Sequence, residues 1–220
     1  MNYLEKKRST ARPTAKTVGQ QNYLDILNDY KNKIIVAIGP AGTGKTMLAT
    51  ERAIERLQKG EIDRIVITRP ASSVDEEIGF LPGDIQNKME PWMKPIFDVF
   101  GNHFMPPTLD EMIKRGTVEI APLAFMRGRT FKDAFVIGDE MQNSTPSQMK
   151  MLMTRLGRGS QMVITGDVKQ SDRMIDNGLT DFRRQYEKYF NPSYINFVTL
   201  TKDDIQRHPA VQEVLNIYGD

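Results

Sequence analysis

Apolar residues gather in six short runs along the chain: Lys33–Ile38, Arg64–Thr68, Thr117–Ala121, Ala134–Ile137, Gln161–Thr165 and Tyr194–Leu200. They are rich in β-branched residues and nearly continuous, which predicts strands buried on both faces rather than strands with one wet side. Between the first two runs, Met47, Thr50, Ala53, Ile54 and Leu57 recur at helical spacing and Gly60 follows as a stop. Strand, helix, strand is thus the repeating unit. The fold class expected is α/β: a mainly parallel sheet with helices on both faces. No internal repeat is visible.

Two stretches break the alternation. Residues 75–112 are rich in proline (Pro82, Pro91, Pro95, Pro106, Pro107) and aromatics (Phe80, Trp92, Phe97, Phe100, Phe104), with no strand pattern. They read as a helical insertion or lid, whose row Trp92, Ile96, Val99 and Phe100 fits a core-facing helix better than a base-stacking surface. Residues 1–17 carry Lys6, Lys7, Arg8, Arg12 and Lys16 against Glu5, interrupted by Pro13, and read as a basic flexible tail before one domain over 18–220.

The 220 residues hold 30 Lys and Arg against 28 Asp and Glu, and a net charge of +2 gives no general case for nucleic acid. With no cysteine, disulfides and thiolate chemistry are excluded. No apolar run approaches the roughly 18–20 residues of a membrane helix, and no secretory signal is seen, so no membrane association and a cytoplasmic location are expected.

Chemistry enters directly after the first strand. Gly39-Pro40-Ala41-Gly42-Thr43-Gly44-Lys45-Thr46 is a complete Walker A loop, or P-loop, placed between a strand and a helix. Its glycines let successive backbone N–H groups turn onto phosphate oxygens, and the following helix presents its positive end to the same anion. Lys45 is expected on the β- and γ-phosphates and Thr46 on Mg²⁺. The fourth run ends in Gly138-Asp139-Glu140, which supplies the acidic element: Asp139 for Mg²⁺, Glu140 to polarise an attacking water. Such a pair points to hydrolysis rather than to a small-molecule kinase. After the fifth run, Gly166-Asp167-Val168-Lys169-Gln170 places Gln170 as a γ-phosphate sensor, or simply as a turn residue.

Further motifs accompany these: Ile67-Thr68-Arg69-Pro70, Gly79-Phe80-Leu81-Pro82-Gly83-Asp84, Phe125-Met126-Arg127-Gly128-Arg129-Thr130-Phe131, Asp139-Glu140-Met141-Gln142-Asn143, Thr165-Gly166-Asp167 and Arg207-His208-Pro209. Together with the P-loop, the set resembles the PhoH family over nearly all of the chain after about residue 15. The resemblance implies an ATPase similar to the first RecA-like domain of superfamily-1 helicases, using ATP and Mg²⁺. It implies that Gln20 reads adenine, that Arg69 touches a nucleic-acid phosphate, and that Arg127 and Arg129 face nucleic acid or a neighbouring subunit. For that arginine pair a structural salt bridge is the alternative.

The chain departs from the family pattern at Gly138, where an apolar residue is usual, and at Met141, where Ala is usual; a loosened strand end at Asp139 is the expected consequence. A helicase-like motor with one RecA-like domain lacks the second domain's arginine, so the arginine is expected from another subunit of a homo-oligomeric ring, Arg207 first and Arg173 second. Two functions follow: an ATPase remodelling single-stranded nucleic acid, RNA before DNA, or a nucleotide-dependent switch or assembly factor acting on a protein partner.

Overall fold

Residues 10–70, 85–170 and 177–218 are described by the computed structural model of the chain. The first nine residues, Gly79–Asp84 and Arg173 lie outside them. In chain order the helices are α1 (Val18–Asn28), α2 (Lys45–Gln58), α3 (Ile85–Gly101), α4 (Pro106–Lys114), α5 (Pro146–Met153), α6 (Gly178–Lys188) and α7 (Pro209–Tyr218). The strands are β1 (Ile34–Ile38), β2 (Arg64–Arg69), β3 (Val118–Pro122), β4 (Ala134–Gly138), β5 (Gln161–Gly166) and β6 (Ile195–Thr199).

Each of the six expected runs forms a strand within a residue or two of its anticipated bounds. They make one sheet in the order β3-β2-β4-β5-β1-β6, with every neighbouring pair parallel. Parallel pairing sends all carboxyl ends to one rim. The rim therefore collects the loops after β1, β2, β4 and β5, the place where open α/β sheets bind ligands.

Alternation along the buried strands divides the core in two. Ile35 and Ala37 of β1 pack with Leu48, Ala53 and Ile54 of α2, and with Tyr23 and Leu27 of α1. Ile34, Val36 and Ile38 face the other way, toward Met149 and Leu152 of α5 and Leu179 of α6. Helices on both faces explain why these strands carry no polar side. The insertion is helical as expected: α3 brings Met93, Ile96, Val99 and Phe100 into the α2 side of the core. His103, just past α3, holds Glu51 of α2 at 2.8 Å.

Residues 10–17, expected within the tail, run against the domain instead. Ala11 is fully buried, and its N–H donates to Gln58 Oε1 at 2.8 Å. Thr17 caps α1 by accepting from the Gln20 N–H, and its hydroxyl donates to Asp204 Oδ1 at 2.5 Å. Asp204 Oδ2 accepts the Thr201 N–H at 2.8 Å. This carboxylate lies so close to the α1 backbone that a Cβ on Gly19 would sit 2.4 Å from its oxygens. Burial alone would raise the Asp204 carboxyl, but hydrogen bonds from Thr17, Thr201 and Gly19 hold it below its usual range.

One carboxylate thus ties the start of α1 to a segment nearly two hundred residues away. Asp204→Ala is expected to cost about 1–2 kcal/mol at neutral pH, as losing a capping hydrogen-bond acceptor does. A depressed carboxyl stabilises the fold above its unfolded value of roughly 3.9 and loses that contribution as pH falls through the lower folded value. Urea midpoints of wild type and variant should therefore differ at pH 7 and converge in strong acid.

Candidate active site

The loop after β1 starts on a backbone bond from the Gly39 N–H to the Gly166 carbonyl of β5, 3.2 Å long. It then turns through Gly42 and Gly44, both at φ near +84° (84° and 83°), a conformation that side-chain-bearing residues rarely adopt. Gly44 is the N-cap of α2, which opens at Lys45. A loop of this shape running into a helix N-terminus is the arrangement from which the motif expects an anion cradle. Lys45 is buried, and its Nζ donates to the carbonyls of Gly39 at 2.6 Å and Pro40 at 2.8 Å. Burial lowers the pKa of its ammonium, while the charges of Asp167, Glu140 and Asp139 act in the opposite direction.

Thr46 is one residue further and points across the rim. Its hydroxyl donates to Asp139 Oδ1 at 2.6 Å, and Thr165 at the end of β5 donates to the same oxygen at 2.6 Å. Asp139 is itself anchored by its N–H to the Thr68 carbonyl of β2 at 2.9 Å. The carboxylate of Asp139 and the hydroxyl of Thr46 fit a Mg²⁺ ion that keeps most of its waters, since such an ion needs few protein oxygens. Among the described residues no cluster of three or more carboxylates or histidines offers a denser metal site.

Glu140 occupies the left-handed region at φ 51° and ψ 39°. For a residue other than glycine this costs on the order of 1 kcal/mol, and outliers of this kind gather at functional sites. The turn carries its carboxylate to Gln142, whose Nε2 donates to Glu140 Oε2 at 2.5 Å. Gln142 is buried, and its motif alone gives it no role. Gln170, named there as sensor, is exposed; its N–H donates to the Asp167 carbonyl at 3.1 Å, which is the turn alternative.

Two distant segments close over the loop. Gln20 is buried, with Nε2 donating to the Thr43 carbonyl at 3.0 Å and Oε1 accepting the Lys16 N–H at 2.8 Å. Both ends of the amide expected to read adenine thus bond to the chain itself. Tyr23, one turn on, donates its hydroxyl to the Lys45 carbonyl at 3.3 Å. From the other terminus, the Gln206 N–H donates to the Gly42 carbonyl at 2.9 Å. A Cβ on Gly42 would lie 2.6 Å from Arg207 Nε. Arg207 therefore rests on the P-loop of its own chain.

Comparison with known proteins places the chain in a family. The sequence profile described as PhoH-like protein matches residues 13–219. The chain belongs to the PhoH family. It is 43% identical over 205 residues to a PhoH-like protein of Bacillus subtilis (strain 168), covering 92% of this chain and 63% of that one. It is 40% identical over 218 residues to the protein PhoH of Escherichia coli (strain K12), covering 96% of this chain and 60% of that one. It thus spans less than two thirds of the length of these PhoH relatives. Among solved structures, the Pyrococcus furiosus Hef helicase domain is similar at a TM-score of 0.47 and 12% identity, over 84% of this chain and 38% of that one. Bacteroides Pif1 bound to single-stranded DNA is similar at 0.39 and 17%, over 92% and 46%.

The remaining PhoH motif residues divide. Arg129 pairs through both outer nitrogens with Glu119, the second bond being 2.7 Å, and its guanidinium lies 4.9 Å from the Phe131 ring centre. The salt bridge named as its alternative is therefore present, and Glu119 raises the Arg129 pKa further. Arg127 is exposed, and half-buried Arg69 ends β2 on the rim. An apolar groove of about 520 Å³, lined chiefly by Ile34, Met149, Met153, Phe182 and Ile195, includes the amino-terminal residues of β1 and β6. It runs between β1, β6, α5 and α6, and Lys45, Thr46, Asp139 and Glu140 do not line it.

The two departures from the PhoH pattern explain each other. A Cβ on Gly138 would lie 2.9 Å from Leu152 Cδ2, 3.0 Å from Ile164 Cδ1 and 3.3 Å from Met141 Cγ. Met141 is fully buried there, so the longer side chain fills space that the glycine vacates. The expected loosening at Asp139 is corrected: the strand end is packed, and Asp139 is held by three hydrogen bonds. Gly138→Ala should cost about 1–3 kcal/mol by overpacking. Combined with Met141→Ala, itself costly at a buried position, the two losses should be less than additive, with an interaction energy of about 0.5 kcal/mol or more in a double-mutant cycle of denaturation midpoints.

Proposed function

We propose that this domain binds ATP with Mg²⁺ at the carboxyl rim of its sheet and hydrolyses it, coupling turnover to remodelling of single-stranded RNA. The observation that carries the proposal is the meeting of Lys45, Thr46, Asp139 and Glu140, from two different strand ends, around one glycine-turned loop. Backbone N–H groups of Gly42 to Thr46 and the α2 terminus take the phosphates. Lys45 exchanges its two loop carbonyls for phosphate oxygens. Mg²⁺ held by Thr46 and Asp139 would neutralise phosphate charge when bound. Glu140 receives the proton of the attacking water at Oε1, the oxygen not engaged by Gln142.

Arg207 supports a revision of the expected arginine supply. Its side chain already lies on Gly42 of the same chain, so we assign it to its own site, where it adds positive charge beside the phosphates. A ring remains compatible with this proposal but is not required for the arginine. Arg69 and Arg127 are the proposed nucleic-acid contacts, Arg129 being committed to Glu119.

Lys45→Ala should abolish nucleotide binding in a fluorescence titration. Glu140→Gln should preserve binding and lower kcat by about 10²–10⁴-fold. Arg207→Ala should lower kcat by about 10³-fold or more. Mixing the Lys45→Ala and Arg207→Ala proteins should restore nothing, because each site uses its own arginine; recovery in the mixture would return Arg207 to a neighbour's site. Single-stranded RNA should raise the ATPase rate in a salt-dependent manner. No response to RNA or DNA would favour the nucleotide-dependent switch acting on a protein partner.

A further inference from the structure

The buried amide of Gln142 touches both halves of the rim. Its Nε2 donates to Glu140 Oε2 at 2.5 Å, and its Oε1 accepts the Asp167 N–H at 3.1 Å. The orientation follows from chemistry: a carboxylate cannot donate and a backbone N–H cannot accept, so the amide has one consistent placement. Gly166, just before Asp167, makes room for it, since a Cβ there would lie 2.6 Å from Gln142 Oε1 and 2.7 Å from Leu179 Cδ2. Gly166 also accepts the Gly39 N–H that begins the P-loop. A continuous path therefore runs from the Glu140 carboxylate through Gln142 to the end of β5 and on to the phosphate loop.

We propose that Gln142 is a positioning residue, holding the Glu140 carboxylate at a fixed place relative to the P-loop by clamping it to the Asp167 backbone. The inference rests on the ATPase reading above. Its chemical content is separate: Glu140 enters the left-handed region on a rotatable side chain, and a backbone turn alone does not fix where a two-carbon stem ends. The clamp fastens Oε2 and leaves Oε1 unengaged by Gln142. It also makes the Asp167 turn, which continues through Lys169 and Gln170, the element whose displacement would move the base.

Two substitutions separate the clamp's arms. Gln142→Met keeps the side-chain length and loses both hydrogen bonds. Gln142→Glu keeps an acceptor for the Asp167 N–H but sets a carboxylate against Glu140. Both should lower kcat roughly 10–100-fold, the usual scale for removing a group that orients a reacting residue, with ATP affinity within about twofold of wild type. Amide hydrogen exchange at Asp167, read by NMR, should accelerate in Gln142→Met and stay slow in Gln142→Glu.

A folded Gln142→Met protein with wild-type kcat, or with unchanged Asp167 exchange, overturns the proposal. If circular dichroism shows that Gln142→Met does not fold, Gln142→Glu decides: wild-type kcat there overturns it, and lowered kcat with a slow Asp167 amide supports it. If the wild-type protein shows no Lys45-dependent hydrolysis, the ATPase reading fails while the Asp167 exchange still judges the clamp.

Discussion

The carboxylate of Asp139 joins parts of the sheet that are not neighbours. Strand β5 lies between β1, which feeds the phosphate loop, and β4, which feeds the acidic pair, so these two strands never touch. Thr165 bridges the gap from the strand between, and Thr46 reaches from the helix after β1 to the same oxygen. Register sets this meeting: Ala37 lies opposite Thr165, and Ile164 opposite Gly138. A slip of one residue would turn Thr165 to the other face and leave Asp139 without its second donor.

The same constraint governs the loop's surroundings. A backbone that bends through left-handed glycines has many unfolded alternatives, so it needs contacts from outside to stay in one conformation. Those contacts come from the two ends of the domain: Gln20 and Tyr23 of α1 on Thr43 and Lys45, and Gln206 on Gly42. Asp204 fastens the two ends to each other through Thr17. The phosphate loop is thus held from outside its own motif, and Arg207 reaches it in the segment that Asp204 and Gln206 fasten.

The sheet was legible because burial on both faces demands continuous apolar runs, and every run became a strand. Lys45, Thr46, Asp139 and Glu140 were legible because their motifs are local, each read within one strand and its following loop. What escaped lies between motifs. Gln142 lies in the motif Asp139-Glu140-Met141-Gln142-Asn143, but its partners are a carboxylate two residues back and an amide twenty-five residues on. Gly138 and Met141 looked like two weaknesses because their complementarity is a matter of volume, and volume has no sequence period. That Gln20 and Arg207 both fold onto the loop of their own chain has no sign in the sequence, because each contact joins segments far apart along it.

Glu140 shows how these cross-chain contacts bear on the chemistry. Its left-handed backbone costs on the order of 1 kcal/mol, and a net hydrogen bond to a charged group contributes about 1.5–3 kcal/mol. The bond to Gln142 is therefore large enough to offset the strain, provided that the amide's other end is also satisfied, since a buried unpaired carbonyl would cost a similar amount. Asp167 satisfies it, and Gly166 gives it space. The second carboxylate of the acidic strand is thus fastened, through Gln142, to the turn of the neighbouring strand. In this domain the position of Glu140 belongs as much to β5 as to β4.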